Sequence, residues 1–402
     1  MRRLFIFLLF LAVFVPVGAQ TIRVEHPVGK ELKNLSTTEI NAIFNKANPG
    51  LKIKALQEMA DNMHLNGSIL IALNDKVVVR RTYGYARLYK KGKDLTGMTL
   101  DQLNRARDKS ENKLLHTTPY ELASLSKQFT AAAILKLVSQ GKLQLTDYLT
   151  KFYPESPYHG ITIHHLLSHT SGLPEYFKFP DEYWIDTDCV SNSYAIEKFF
   201  FTKAKILFKP GANYKYTNTN YLLLANIVEK VSGIKFEKYM ADSIFMPIGM
   251  KNTFYYTEKA SKKGIFFPRG HLNSGEEVAF EPLDGTLGDK GLYSYPEALM
   301  KWKIAYFNEY SVIPKEWVVK AMSPQNKLHN GARPSELYGY GLHIEDDPCH
   351  GRLVYHGGLW HGFNHIMMYR PSDNLLFICL SNYRNRAHVG KSSVILTIVD
   401  GV

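Results

Sequence analysis

A serine hydroxyl becomes a useful nucleophile only when a neighbouring group takes its proton. On a helix the residue three positions further on faces the same side, and a lysine buried there has a lowered pKa and can accept that proton. Ser124-Leu125-Ser126-Lys127 has this spacing, and so do Ser110/Lys113, Ser139/Lys142 and Ser232/Lys235. Context separates the four. Ser110 lies in a charged stretch, Ser139 at the end of a helical pattern and Ser232 after one. Ser124 opens a long apolar run through Phe129, Ala131–Leu135, Leu137 and Val138. A helix there, predicted from Ser124 to about Gln140, buries the lysine and aims backbone N–H groups at the serine.

Two further short patterns carry polar groups suited to the same chemistry. Tyr216-Thr217-Asn218 follows the turn Lys209-Pro210-Gly211, which can project both polar side chains into a cleft. A phenol works as acid or base when cations hold its pKa down, and an amide orients a lysine or a substrate carbonyl. Tyr306/Asn308 and Tyr383/Asn385 repeat the pattern elsewhere. His356-Gly357-Gly358 follows the apolar strand Leu353-Val354-Tyr355, and two glycines at a strand edge let substrate backbone approach closely. His329-Asn330-Gly331 shares its form but lies in a polar stretch.

The elements that hold these groups are legible from periodicity and turn chemistry. Ser36-Thr37-Thr38-Glu39 reads as a helix start, with the helix running to about Met63. Gly67–Leu73 and Lys76–Tyr83 are β-rich runs around Asn74-Asp75, a predicted hairpin. Arg87–Lys113 is a polar excursion, and helical and irregular segments fill the middle. Strands return at Tyr338–Ile344, Leu353–Tyr355, Phe363–Tyr369 and Leu375–Leu380, with a turn at Arg370–Asn374 between the last two. Strands at both ends with helices between predict an antiparallel sheet built from the two chain ends, an α+β arrangement.

In order, Ser124-x-x-Lys127, Tyr216-x-Asn218 and His356-x-Gly358 resemble the motifs of the serine β-lactamase and penicillin-binding-protein superfamily, its class C-like branch above all. The flanks carry the resemblance too: Leu122 to Ala131, His165-Leu166-Leu167-Ser168-His169-Thr170-Ser171-Gly172-Leu173-Pro174, and Gly362-Phe363 after the third motif. It spans Thr37 to the C-terminal region and implies a β-lactamase/DD-peptidase-like fold over 37–402, after a short extension over 20–36. It implies Ser124 as acyl-accepting nucleophile, Lys127 and Tyr216 sharing the proton work, and Asn218 orienting Lys127 and substrate. His356 stands where a lysine often does. Gly357, Gly358 and Leu359 face the substrate, and the N–H groups of Ser124 and Leu359 form the oxyanion hole. No cofactor and no metal are implied.

One departure bears on substrate. The middle position of the third motif usually carries a hydroxyl that helps bind a substrate carboxylate; here it is Gly357, and Leu359 adds none. A buried carboxylate without partners is costly. The expectation is therefore an exported serine hydrolase acting on ester or amide bonds of a small-molecule or peptide acyl substrate, cell-wall material included. The alternative is a D-alanyl-D-alanine carboxypeptidase or β-lactamase, or a slowly acylating penicillin-binding sensor of the envelope.

Bulk composition excludes other classes. With 45% hydrophobic and 21% charged residues the chain is neither disordered nor fibrous. The net charge of +12 invites nucleic acid or anionic polymers, but the cations are scattered, so no nucleic-acid partner is expected. Met1-Arg2-Arg3, an apolar run from Leu4 to Val17 and small residues at Val17-Gly18-Ala19 read as a signal peptide over 1–19. The run is short of the roughly 20 residues of a bilayer span, so a periplasmic or secreted protein without a membrane span is expected. Cys379 sits in an apolar strand, while Cys189 and Cys349 lie in polar stretches where they could pair. His165 and His169 are four apart but lack an intervening carboxylate, and Gly288–Leu292 resembles a loop bordering the cleft, with Lys290 in place of a small residue. Trp360 belongs at the cleft mouth or in the packing around it.

Overall fold

The computed structural model describes residues 49–63, 65–88, 113–179, 181–184, 189–255, 268–326, 337–348, 350–384 and 390–400. They fall into two compact units: Met59–Ser392, which holds every candidate site residue, and the chain outside it. In the smaller unit Lys52 Nζ donates to the carbonyl of Val399 at 2.6 Å. The helix expected to begin near Ser36 spans Pro49–Asp61, its proposed start lying outside the described residues. The signal segment and most of the Arg87–Lys113 excursion lie outside them too.

Seven antiparallel strands make the main sheet of the larger unit. They are β1 (Gly67–Leu73), β2 (Lys76–Tyr83), β6 (Leu337–Tyr338), β7 (His343–Asp347), β8 (Gly351–Trp360), β9 (Phe363–Arg370) and β10 (Leu375–Ser381). A smaller sheet holds β3 (Tyr120–Glu121), β4 (Phe254–Tyr255) and β5 (Leu292–Ser294). The main order is β2-β1-β10-β9-β8-β7-β6, so the early hairpin is completed by the last strand, as the two-ended reading requires. Gly67 faces Ser381 and Leu73 faces Leu375 in that join. The hairpin turn works because Asn74 and Asp75 both adopt φ near +50 to +60°, which short polar side chains tolerate. β1 and β10 are apolar runs buried along almost their whole length, and Cys379 lies within that core.

Two strands differ from expectation. Tyr338–Ile344 is not one strand: it breaks between β6 and β7, where Gly341 has φ +76°. A Cβ on Gly341 would stand 2.8 Å from Gln128 Cα and from the Lys127 carbonyl, so the bend lets this hairpin reach the base of the nucleophile's helix. β8 is longer than Leu353–Tyr355: His356–Leu359 lie inside it, with Gly357, Gly358 and Leu359 paired to Ile366, His365 and Asn364 of β9.

Helix α1 (Ser126–Ser139) is buried on all sides through Leu135, the behaviour of a helix apolar all round. Phe129 packs on Trp302 with ring centroids 4.3 Å apart. Ser124 does not open this helix directly; a 3₁₀ turn, Ala123–Leu125, precedes it. Helices α2 (Asn192–Thr202) and α3 (Asn218–Ser232) complete the helical middle. The Cys189–Cys349 pairing falls on Cys349, outside the described residues. Among the described residues no helix is long and apolar enough to cross a membrane.

Candidate active site

The small sheet aims the nucleophile. β3 pairs with β5, and the Leu122 N–H extends the ladder to the Leu292 carbonyl at 2.7 Å. The chain then turns through Ala123, whose φ of +51° is strained for a residue with a Cβ. Its N–H is held by Glu121 Oε2 at 3.0 Å, while Glu121 Oε1 accepts from the Gly291 N–H at 2.7 Å. One buried carboxylate thus joins the turn before Ser124 to the loop before β5. Burial pushes its pKa up to about 7.

Lys127 Nζ donates to Ser124 Oγ at 2.9 Å, to Asn218 Oδ1 at 2.6 Å and to the Asp289 carbonyl at 2.8 Å. Those contacts use all the donors an ammonium has. The side chain is fully buried, and desolvation lowers its pKa to about 8 against the opposing charges of Asp289 and Glu175. Lys127 Nζ lies 5.0 Å from the centre of the Tyr216 ring. Burial pushes the phenol's pKa well above the usual value, outweighing the opposite influence of Ser124, so the phenol stays protonated in the resting site.

Asn218 is the first residue of α3, and its amide is fixed from outside the helix. Its backbone N–H and its Nδ2 both donate to Glu175 Oε2, at 3.0 and 2.9 Å. Glu175 was not legible as a site residue. Its one signal is position, directly after the His165–Pro174 stretch. The Asp289 carbonyl was hidden for a different reason: a backbone acceptor leaves no residue-type signature, although the Gly288–Leu292 loop does border the site as expected.

His356 is buried on β8. Its Nδ1 lies 2.6 Å from the Gly357 carbonyl, which can only accept, so Nδ1 carries the proton and Nε2 accepts from Tyr338 Oη at 3.1 Å. Burial, with His343 and Lys127 nearby, holds its pKa well below the usual imidazole value. It therefore stands in the lysine's position without the lysine's charge, its ring centre 6.1 Å from that of Tyr216. Gly358 packs against the nucleophile turn: a Cβ there would meet the Leu122 carbonyl at 2.4 Å. Gly357 is open by comparison, with His365 O at 3.6 Å as nearest atom. The Leu359 side chain is exposed, and its backbone stands opposite Asn364 of β9.

Other residues singled out from sequence have structural partners. His165 Nδ1 accepts the Thr162 N–H in a capping box. His169 Nδ1 accepts the Thr217 N–H at 3.3 Å, and its ring packs at a tilt against Tyr216 with centroids 4.3 Å apart. Trp360 Nε1 donates to Asp284 at 2.5 Å and stacks on His361 at 4.2 Å. Lys290 Nζ donates to Tyr176 Oη at 2.7 Å, to Thr286 Oγ1 and to Asp289 Oδ2 at 3.4 Å, so its donors are committed. Among the described residues no group of three or more His, Cys, Asp or Glu is disposed to hold a metal.

The sequence profile of the Beta-lactamase family matches residues 54–396, most of the chain. The chain belongs to the Beta-lactamase family. It is similar to penicillin-binding protein 4* of Bacillus subtilis strain 168, 31% identical over 84% of this chain and 72% of that protein. Protein flp of Staphylococcus aureus NCTC 8325 / PS 47 is 28% identical over 79% of this chain, which spans only 60% of flp's length. The octameric penicillin-binding protein homologue from Pyrococcus abyssi superposes with a TM-score of 0.69 at 26% identity, covering 88% of this chain and 77% of that one. The fold is thus the β-lactamase/penicillin-binding-protein fold, and the chain is a serine hydrolase of this family.

Proposed function

We propose that this family member cleaves esters or amides through an acyl-Ser124 intermediate. The observation that carries the reading is the contact of Lys127 Nζ with Ser124 Oγ at 2.9 Å, made by an amine whose burial lowers its pKa to about 8. Neutral Lys127 takes the Ser124 proton as Oγ bonds to the acyl carbon and the carbonyl electrons move to oxygen. The N–H groups of Ser124 and Leu359 receive that oxyanion. On collapse the leaving group takes a proton through the Lys127–Tyr216 pair, leaving acyl-Ser124; water then enters with the same groups in reverse. The phenol's raised pKa makes Lys127 the base and Tyr216 the donor.

The preferred acyl donor lacks a carboxylate at the third motif. Gly357 supplies no hydroxyl, His356 is neutral, and the donors of Lys290 are committed. A carboxylate placed beside them would be desolvated without a partner. The similarity to a penicillin-binding protein favours the second reading, acylation by D-alanyl-D-alanine peptides or penicillin. The opening segment Met1–Ala19 supports export as a cleaved signal, and the class C-like branch fits the order of the three motifs.

A panel of neutral acyl esters, neutral amides, a D-alanyl-D-alanine peptide and benzylpenicillin separates the readings. Turnover of the neutral substrates with kcat/KM at least about 10-fold above the carboxylates supports the first. The reverse order, or a long-lived penicillin adduct, overturns it in favour of the second.

A further inference from the structure

The geometry points to Glu175 as a positioning residue for acyl transfer: it clamps the Asn218 amide and balances the charge Lys127 gains on taking the Ser124 proton. This rests on the reading of Lys127 as base to Ser124.

An amide presents an acceptor or a donor depending on how it is turned, and only its oxygen suits an ammonium. In this site Asn218 Nδ2 donates to Glu175 Oε2 at 2.9 Å, which leaves Oδ1 facing Lys127 Nζ at 2.6 Å. Glu175 Oε2 also accepts the Asn218 N–H at 3.0 Å, a cap on the N-terminus of α3. The N-cap residue itself, Thr217, makes no capping bond with its side chain. The cap comes instead from a distant loop.

That loop is anchored on both sides of Glu175. Thr219 Oγ1 donates to the Pro174 carbonyl at 2.7 Å and accepts the Tyr176 N–H at 2.9 Å. Glu175 therefore has little freedom to leave Asn218. Its other oxygen, Oε1, has no hydrogen-bond partner among the described residues, so its hold on the site runs through Asn218.

The charge on Lys127 is set by its neighbours. Asp289, Glu175 and Glu121 favour its ammonium form, and Lys290 opposes it. The titratable rings around it, His169, His343 and His356, are held neutral by burial, and Tyr216 and Tyr221 are held protonated. Removing the Glu175 charge leaves the Lys127 ammonium less favoured, so the amine loses its proton at lower pH.

The test measures acylation of Ser124 by p-nitrophenyl acetate against pH in wild type, Glu175→Gln and Glu175→Ala. Glu175→Gln keeps an acceptor for Asn218 and removes the charge; the acid limb shifts down by about half a unit or more with KM unchanged. Glu175→Ala also frees the amide, and the plateau falls about 10-fold or more. A wild-type midpoint in Glu175→Gln overturns the charge role, and a wild-type plateau in a folded Glu175→Ala overturns the clamp. Should the alanine variant not fold, the glutamine midpoint decides the charge role, and Glu175→Met, which keeps the packing but removes the acceptor, decides the clamp by the same plateau. Failure of the underlying reading looks different: acetylation that survives Ser124→Ala in the parent protein.

Discussion

Gly358 lies so close to the residue two before the nucleophile that a single methyl would put carbon 2.4 Å from the Leu122 carbonyl oxygen. The strand carrying Leu359 and the turn carrying Ser124 meet here without a side chain between them. A separation set this tightly fixes where the two proposed oxyanion donors stand. Gly358→Ala is expected to push β8 off the turn and lower kcat/KM by about 10²-fold or more, the scale of losing an oxyanion donor. Gly357→Ala meets only His365 O at 3.6 Å and should stay within about 3-fold of wild type. Equal effects of the two substitutions would contradict the assignment.

The same open space allows a gain-of-function test. Gly357→Thr restores the hydroxyl common in this position, and its Cβ meets only His365 O, at an ordinary 3.6 Å. Activity on carboxylate-bearing substrates should rise about 5-fold or more, one charge-assisted hydrogen bond's worth, with neutral esters little affected. Comparison of kcat/KM across both classes reads it. An unchanged ratio would remove Gly357 as a specificity determinant.

The pH dependence follows from Lys127. Its neutral form is the competent base, so kcat/KM rises with pH through about 8 and falls below it. Burial keeps His356 neutral throughout this range, and the phenol of Tyr216 titrates far above it. A single acid limb near pH 8 that survives His356→Gln is expected. An acid limb near pH 6 that disappears in His356→Gln would make the histidine the base.

Much of this was readable from the chain because the chemistry is carried by side chains at fixed local spacing. Ser124 and Lys127 sit on consecutive turns, and the alternation of apolar and turn residues marked β1, β2, β9 and β10. What stayed hidden was either backbone or distant. The Asp289 carbonyl has no residue-type signature, and Tyr338, the partner of His356, lay in a run read as one unbroken strand. The break there depends on Gly341 meeting Gln128, a contact between segments far apart in sequence. The direction of the Tyr216 pKa was hidden too, because it is set by burial, a tertiary property, which pushes it well up.

Glu121 provides a stability test separate from turnover. It accepts the N–H groups of Ala123 and Gly291, both in the buried approach to the site. Glu121→Ala leaves two donors without an acceptor, at about 1–3 kcal/mol each. Relief from burying the carboxylate offsets part of that, so a net loss of roughly 2–4 kcal/mol is expected in denaturant unfolding. A change below about 0.5 kcal/mol would mean that the carboxylate does not hold the turn.

The central claim is that Ser124 carries the acyl group, and peptide mapping after labelling with a fluorophosphonate tests it most directly. The account predicts one adduct per chain, on the peptide containing Ser124, absent from Ser124→Ala and much slowed in Lys127→Ala. A stoichiometric adduct on any other residue, or labelling that persists in Ser124→Ala, would contradict it.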